Sequence, residues 1–157
     1  MDALSTAIVV FVVLESLNII LLYFAPGSKK GNGVGVFNAF EKSRGYPEIH
    51  AFIRYLVNWV AGTKLIFIVL LIVVLITGSR TTKLFSVAAL ILSIATFYWR
   101  LYPAIRRMDK QDSISPKGYS KTLFAVITIF LLGFAAAIVI SLLSAGSFNI
   151  FFTDNLD

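Results

Sequence analysis

The chain contains no cysteine and a single histidine, His50. Without thiols there is no disulfide framework, no thiolate nucleophile and no cysteine-bound metal or iron–sulfur cluster, and one histidine rules out a multi-histidine metal site within one chain. No metal and no cofactor is expected. Charge is scarce as well: 14% of residues are Asp, Glu, Lys or Arg, against roughly 25% in ordinary globular domains. A Ser-His-Asp order, an HExxH helix and a paired-aspartate motif are all missing, which removes the common hydrolytic and metal-dependent machineries. No internal repeat is visible either, so an inverted-repeat transporter built from one chain finds no support.

What the sequence has in abundance is apolar side chains. They make up 58% of its 157 residues, where roughly 45–50% is usual, and a soluble fold of this length has too little interior to hide them. A helix needs roughly 20 apolar residues to cross the roughly 30 Å hydrocarbon layer. Four runs meet that length, at about 3–24, 53–77, 82–101 and 121–143. The expectation is an all-α polytopic membrane protein, a four-transmembrane-helix bundle forming one domain over 1–157. The second helix is expected to extend back to Pro47, because proline suits a first helical turn and Glu48 complements the N-terminal dipole. Its many β-branched residues do not make it a strand, since an open sheet leaves unsatisfied edges in lipid. The first run reads as a permanent span: Met1-Asp2 provide no basic leader, and Pro26-Gly27 follow without a small-x-small cleavage site.

Basic residues predict the orientation. The first connection and its flanks hold Lys29, Lys30, Lys42, Arg44 and Arg54; the third holds Arg100, Arg106, Arg107, Lys110, Lys117 and Lys121. Between the second and third runs there are only Arg80 and Lys83. Eleven against two places the loops at about 25–52 and 102–120 in the cytoplasm and both termini on the outer side. Aromatic residues mark the same boundary, with Tyr23 and Phe24 closing the first run and Phe97, Tyr98, Trp99 and Tyr102 closing the third, where Pro103 is expected to end or kink the helix. The formal charge of +6 then points to anionic lipid headgroups as partners rather than nucleic acid. The absence of cysteine and of an organelle-targeting segment fits a prokaryotic plasma membrane.

The long loops carry weaker signals. Gly31, Gly33 and Gly35 lack the Gly-Lys-Ser/Thr ending of a phosphate loop and read as a flexible linker. Val36, Phe37 and Phe40 share one helical face, which predicts a short helix lying on the cytoplasmic leaflet. His50 and Arg54, four residues apart on the extension of the second helix, together with Arg100, Arg106 and Arg107, are candidate contacts for lipid headgroups or soluble anions. A solvated surface explains the same residues.

Two full charges fall inside the apolar runs, and their depths match. Glu15 sits near the middle of the first span and Lys64 near the middle of the second. Consecutive spans are antiparallel, so the two side chains can meet at the bilayer centre. Each alone costs roughly 2.5–3.5 kcal/mol to insert, and pairing relieves both. Asn18, three residues after Glu15, lies on nearly the same face. Asn58, six residues before Lys64, is about 9 Å nearer the cytoplasm at roughly 1.5 Å per residue, and is expected to line a path rather than touch Lys64. Glu15, Asn18, Asn58 and Lys64 are the candidate ligand- or ion-binding residues. A lysine beside the carboxylate competes with any metal cation, so simple cation conduction is disfavoured and an amphoteric or anionic ligand is favoured. A purely structural bridge fixing helix register explains the pair equally well. Gly133, Ala137 and Ser141 give the fourth span a small-residue face for close helix approach, within one chain or between copies.

In size, in four spans with outer termini and in a basic first cytoplasmic loop, the outline is similar to the membrane-bound glutathione transferase superfamily. That family's arginine- and glutamate-bearing helix-two motif does not fall residue by residue on Pro47 to Lys64, so the likeness carries no activity to this chain. Three functions therefore stand at this point. The first is a small, oligomeric integral membrane protein binding or transporting a polar solute or ion at the Glu15–Lys64 site. The second is a non-catalytic accessory subunit assembling with a partner membrane subunit. The third is a membrane-embedded enzyme acting on a lipid-soluble substrate at the cytoplasmic interface.

Overall fold

The computed structural model describes residues 1–31 and 33–153, side chains through 144. Every regular element among them is helical. Helix α1 spans Ala3–Phe24, its first turn capped by Asp2, whose Oδ1 accepts the Ser5 N–H at 2.7 Å. A turn and the 3-10 segment Val34–Val36 lead to the short α2, Asn38–Ser43. Helix α3, Pro47–Thr77, begins on its proline as expected and is about 46 Å long at roughly 1.5 Å per residue, well beyond one hydrocarbon layer. Gly78 and Ser79 turn the chain straight into α4, Arg80–Ala95, with Ser79 Oγ accepting the Thr82 N–H at 3.2 Å. A 3-10 turn, Thr96–Tyr98, then re-aims the chain into α5, Leu101–Lys110, and α6 runs Tyr119–Thr153.

Four helical segments are long and apolar enough to cross a membrane: Ala3–Phe24, Pro47–Thr77, Arg80–Lys110 and Tyr119–Ser144. Their outward faces carry large apolar side chains such as Ile66, Ile76, Leu92, Ile129 and Leu143. Water would not tolerate so continuous an apolar surface; lipid does. Helix α1 is the hub, touching α3, α4 and α6. Its Leu4, Ile8, Phe11, Ile19 and Leu22 meet Ala61, Ile68 and Leu71 of α3, Val87 and Leu90 of α4, and Phe134 and Ala137 of α6.

The third span departs from expectation at its end. Pro103 neither stops nor kinks a running helix; it stands third in a new one, where its missing N–H would have had no intrahelical partner. The 3-10 turn makes this possible by resetting the helical register before it. Residues 102–110 are therefore helix rather than loop, and α5 is anchored by Ile105 and Asp109, both buried. Asp109 holds the start of α6: its carboxylate accepts the Gly118 N–H at 2.9 Å, the Ser120 N–H at 3.1 Å and the Ser120 hydroxyl at 2.5 Å.

The two long connections also fold onto one another. Phe37 and Ile114 form an isolated antiparallel bridge, with Ser115 N–H donating to Val36 O at 2.8 Å and Asn38 N–H to Ser113 O at 3.0 Å. Val36, Phe97, Ile105 and Ile114 bury a second small core beneath it. The apolar residues of the 36–42 segment are thus spent inside the protein, Phe40 and Val36 being buried, and not on a lipid surface. The glycines are not a flexible linker either. A Cβ on Gly33 would meet Ser28 O at 2.2 Å, and one on Gly35 would meet Gly27 O at 1.9 Å. Two backbone strands of the turn approach so closely that only glycine fits.

Candidate functional site

Glu15 projects from α1 and Lys64 from α3, and Lys64 Nζ lies 2.6 Å from Glu15 Oε2. Antiparallel packing brings the two depths together. Asn18, one turn further along α1, donates to Glu15 Oε1 at 3.5 Å, the outer limit of a hydrogen bond. The side chains of Lys64 and Glu15 are 30% and 18% exposed, so the pair is neither sealed in the core nor on the surface.

The exposure has a definite place. Beside the pair is a cavity of 240 Å³ whose walls come from α1, α3, α4 and α6: Phe11, Glu15, Asn18, Lys64, Phe67, Ile68, Ile94, Leu123, Val126, Ile127 and Phe130. Eight of these eleven are apolar, so the three polar side chains form one localised polar spot. Away from the loops, an aromatic cluster lines the cavity. Phe11 contacts Phe67, Phe130 and Phe134 edge-on, at centroid distances of 6.2, 6.0 and 5.6 Å. Towards the loop-bearing end lies a second recess of 360 Å³, lined by Lys29, Gly31, Pro116, Lys117, Tyr119 and Thr122. Asn18, Leu123 and Val126 are walls of both. The polar centre is thus one layer of side chains from the loop-end recess, and Val126 and Phe130 likewise stand between it and the apolar groove along α1 and α6.

The mouth of the outer recess is basic. Lys29 Nζ reaches Ser115 Oγ at 3.4 Å. Lys117 pairs with Asp112 at 2.9 Å, and that hydrogen bond raises its pKa above the ordinary lysine value. Gly31, at φ +58°, brings its backbone against Asn18: a Cβ there would lie 2.6 Å from Asn18 Oδ1. The glycine-rich turn therefore forms the lip over the Asn18 amide.

The other candidate residues fall elsewhere. Asn58 is exposed on α3 and lines neither cavity. His50 is engaged within the protein, its Nδ1 2.9 Å from Ser43 Oγ and its ring 5.2 Å from Phe40. Arg54 and Arg100 are exposed and line none of the recesses. Arg106 and Arg107 do come together, with Lys110, Tyr102 and Pro103, around a recess of 320 Å³ on the outer face of α5. Among the described residues, no group of three or more His, Cys, Asp or Glu side chains could hold a metal ion.

Sequence reasoning missed the aromatic block, the recess beneath Gly31 and the role of Asp109. A signal existed for the first: Phe11 is four residues before Glu15 and Phe67 three after Lys64, both helical spacings that share the charged face. The recess depends on the two loops meeting, and Asp109 on the turn that returns Gly118 and Ser120 to the end of α5, neither of which a local pattern encodes.

Compared with protein-family models, with curated proteins and with solved structures, the chain finds no match in any of the three.

Proposed function

We propose that this chain is a small integral membrane protein that binds a small polar solute or ion at the Glu15–Asn18–Lys64 site, as a step in moving it or sensing it, with its loop-bearing end in the cytoplasm. The observation that carries the reading is the cavity. A bridge that merely fixed helix register would be enclosed by packed side chains, whereas this pair opens onto 240 Å³ of space one side-chain layer from a basic recess. Phenylalanines line the side of the cavity away from the loops, which supports entry from the loop-bearing end. The asymmetry of basic residues supports the orientation, and an oligomer is the natural setting for a bundle with so little interior of its own.

The chain's lack of cysteine makes the test simple. Asn18→Cys places a lone thiol at the wall between the two cavities, and Leu17→Cys places one on the adjacent, exposed apolar face. In lipid bicelles a water-soluble methanethiosulfonate labels the first rapidly and the second slowly. If the two label equally slowly, the pair is scaffold and the reading fails.

A second reading has its own observation. Among the described residues Arg106, Arg107 and Lys110 form no side-chain hydrogen bond or ion pair, although they share one recess. An accessory subunit that gathers anionic lipid headgroups, or an acidic segment of a partner membrane subunit, would use such a surface. The apolar groove between α1 and α6, where a Cβ on Gly133 would meet nothing within 4 Å, offers the small-residue face such assembly needs.

A further inference from the structure

The cavity's chemistry narrows the class of molecule that fits it. Its eleven lining residues include two titratable groups, Glu15 and Lys64, which already neutralise each other at 2.6 Å. A lone anion drawn to Lys64 displaces or repels the Glu15 carboxylate, and a lone cation drawn to Glu15 does the same to Lys64. Either event leaves one full charge without a partner in a pocket whose other walls are phenylalanine, isoleucine, leucine and valine. A polyol or sugar fails for the opposite reason, because its many hydroxyls would find three polar side chains and eight apolar ones.

A compact zwitterion avoids both penalties. Lying antiparallel beside the pair, it sets its ammonium against Glu15 and its carboxylate against Lys64. The four groups then form a ring of alternating charge in which each has two opposite neighbours and the net charge stays zero. Asn18, within hydrogen-bond reach of Glu15, makes a third polar side chain beside the ring. The remainder of the ligand faces Phe67, Ile68, Ile94 and Ile127, which favours an apolar side group. Lys29, at the lip of the outer recess, meets the carboxylate end first. We infer that the ligand class of the Glu15–Lys64 cavity is a small amino-acid-like zwitterion with an apolar side group. This rests on the pocket being a binding site, as proposed above.

The test compares three molecules of one shape. Leucine carries both charges, isocaproate lacks the ammonium and isopentylamine lacks the carboxylate. Their binding to the full chain in lipid nanodiscs is measured at neutral pH by calorimetry. Leucine is expected to bind at least tenfold more tightly than either analogue, with Glu15→Asp retaining the preference. The double variant Glu15→Gln with Lys64→Met, which strands no charge and so keeps the bundle folded, is expected to lose it. Isocaproate or isopentylamine binding as tightly as leucine would overturn the zwitterion assignment while leaving the pocket a binding site. So would the absence of binding by all three, if the thiol of Asn18→Cys is still labelled. Leucine binding unchanged in the double variant would also overturn it. If that thiol is not labelled, the assignment falls together with the site.

Discussion

The two ends of this bundle differ in how many of their cations are bonded to the protein. At the short turn between α3 and α4 both are bound to the protein: Lys83 Nζ donates to Ser5 Oγ at 3.0 Å, and Arg80 Nε donates to Ser141 Oγ at 3.2 Å while its terminal nitrogen donates to the Ser141 carbonyl. At the loop-bearing end Lys29, Arg44 and Lys117 are bonded, to Ser115, Glu41 and Asp112, but Arg54, Arg100, Arg106, Arg107 and Lys110 make no side-chain bond to any described residue. That end is held instead by an acid, Asp109, and by backbone pairing between the loops. Cations bound to helices act as structural clamps. Cations left free are available to whatever lies outside the chain, which is how a surface facing anionic headgroups is expected to look. Lys64, between the ends, belongs to neither group: it is paired, yet it faces space.

The sharpest break in this contrast is at Lys64. Lys64→Met alone, or Glu15→Gln alone, strands a charge among apolar walls and should lower stability by about 3 kcal/mol, the lower part of the range for breaking buried pairs because both side chains are partly exposed. The double variant should recover to within about 1 kcal/mol of wild type. Denaturation in mixed micelles measures all three, and strict additivity of the single losses would show that the two charges do not compensate each other. Next in size is Asp109→Ala, which leaves Ser120 and the Gly118 N–H without their acceptor and should cost about 2 kcal/mol. It should also speed proteolysis between α5 and α6.

Smaller effects separate the ends more finely. Lys83→Met removes one hydrogen bond and should cost about 1 kcal/mol, read as a lowered melting temperature. Asp2, at the same end, has its pKa held below the ordinary 3.8 chiefly by the Ser5 backbone N–H it accepts, and lesser contributions come from the Ser5 side chain and Lys83. A depressed carboxylate pKa gives stability that is present above the unfolded value and lost as pH falls through the folded one. Asp2→Asn keeps the cap and should abolish that acid-side loss, whereas Asp2→Ala should cost about 0.5–1 kcal/mol already at neutral pH. Replacing Arg106, Arg107 and Lys110 together by glutamine should change stability by less than about 0.5 kcal/mol. It should nonetheless reduce the anionic lipid that co-purifies, since each cation near the surface attracts by about 1 kcal/mol. A large loss of stability there would mean the free cations are structural after all.

Much of the helical layout was legible because a single-helix property sets it. The apolar run at 3–24 is α1 to the residue, and Pro47 starts α3 because proline suits a first turn. The Glu15–Lys64 contact was legible from depth alone, since antiparallel neighbours leave little freedom in which residues share a level. What was hidden depends on pairs distant in sequence. Phe37 finds Ile114 across more than seventy residues, and Asp109 looks like one more loop charge until Ser120 and Gly118 arrive beside it. Pro103 misled because proline breaks a continuing helix but suits a restarting one, and only the 3-10 turn at Thr96–Tyr98 tells the two apart. Gly33 and Gly35 read as slack because composition cannot distinguish a glycine that frees the backbone from one that lets two backbones touch. Asn58, expected to line a path without touching Lys64, lines neither cavity, six residues having turned it about 120° around the helix from Lys64.

The central claim is that the polar centre is a site reached from the loop-bearing end. Sided labelling of Asn18→Cys in sealed vesicles, with an impermeant anionic methanethiosulfonate added to one side at a time, tests it most directly. The account predicts labelling from the loop-bearing side alone, slowed by adding leucine. Labelling from the side of the Gly78-Ser79 turn, or from neither, would contradict it.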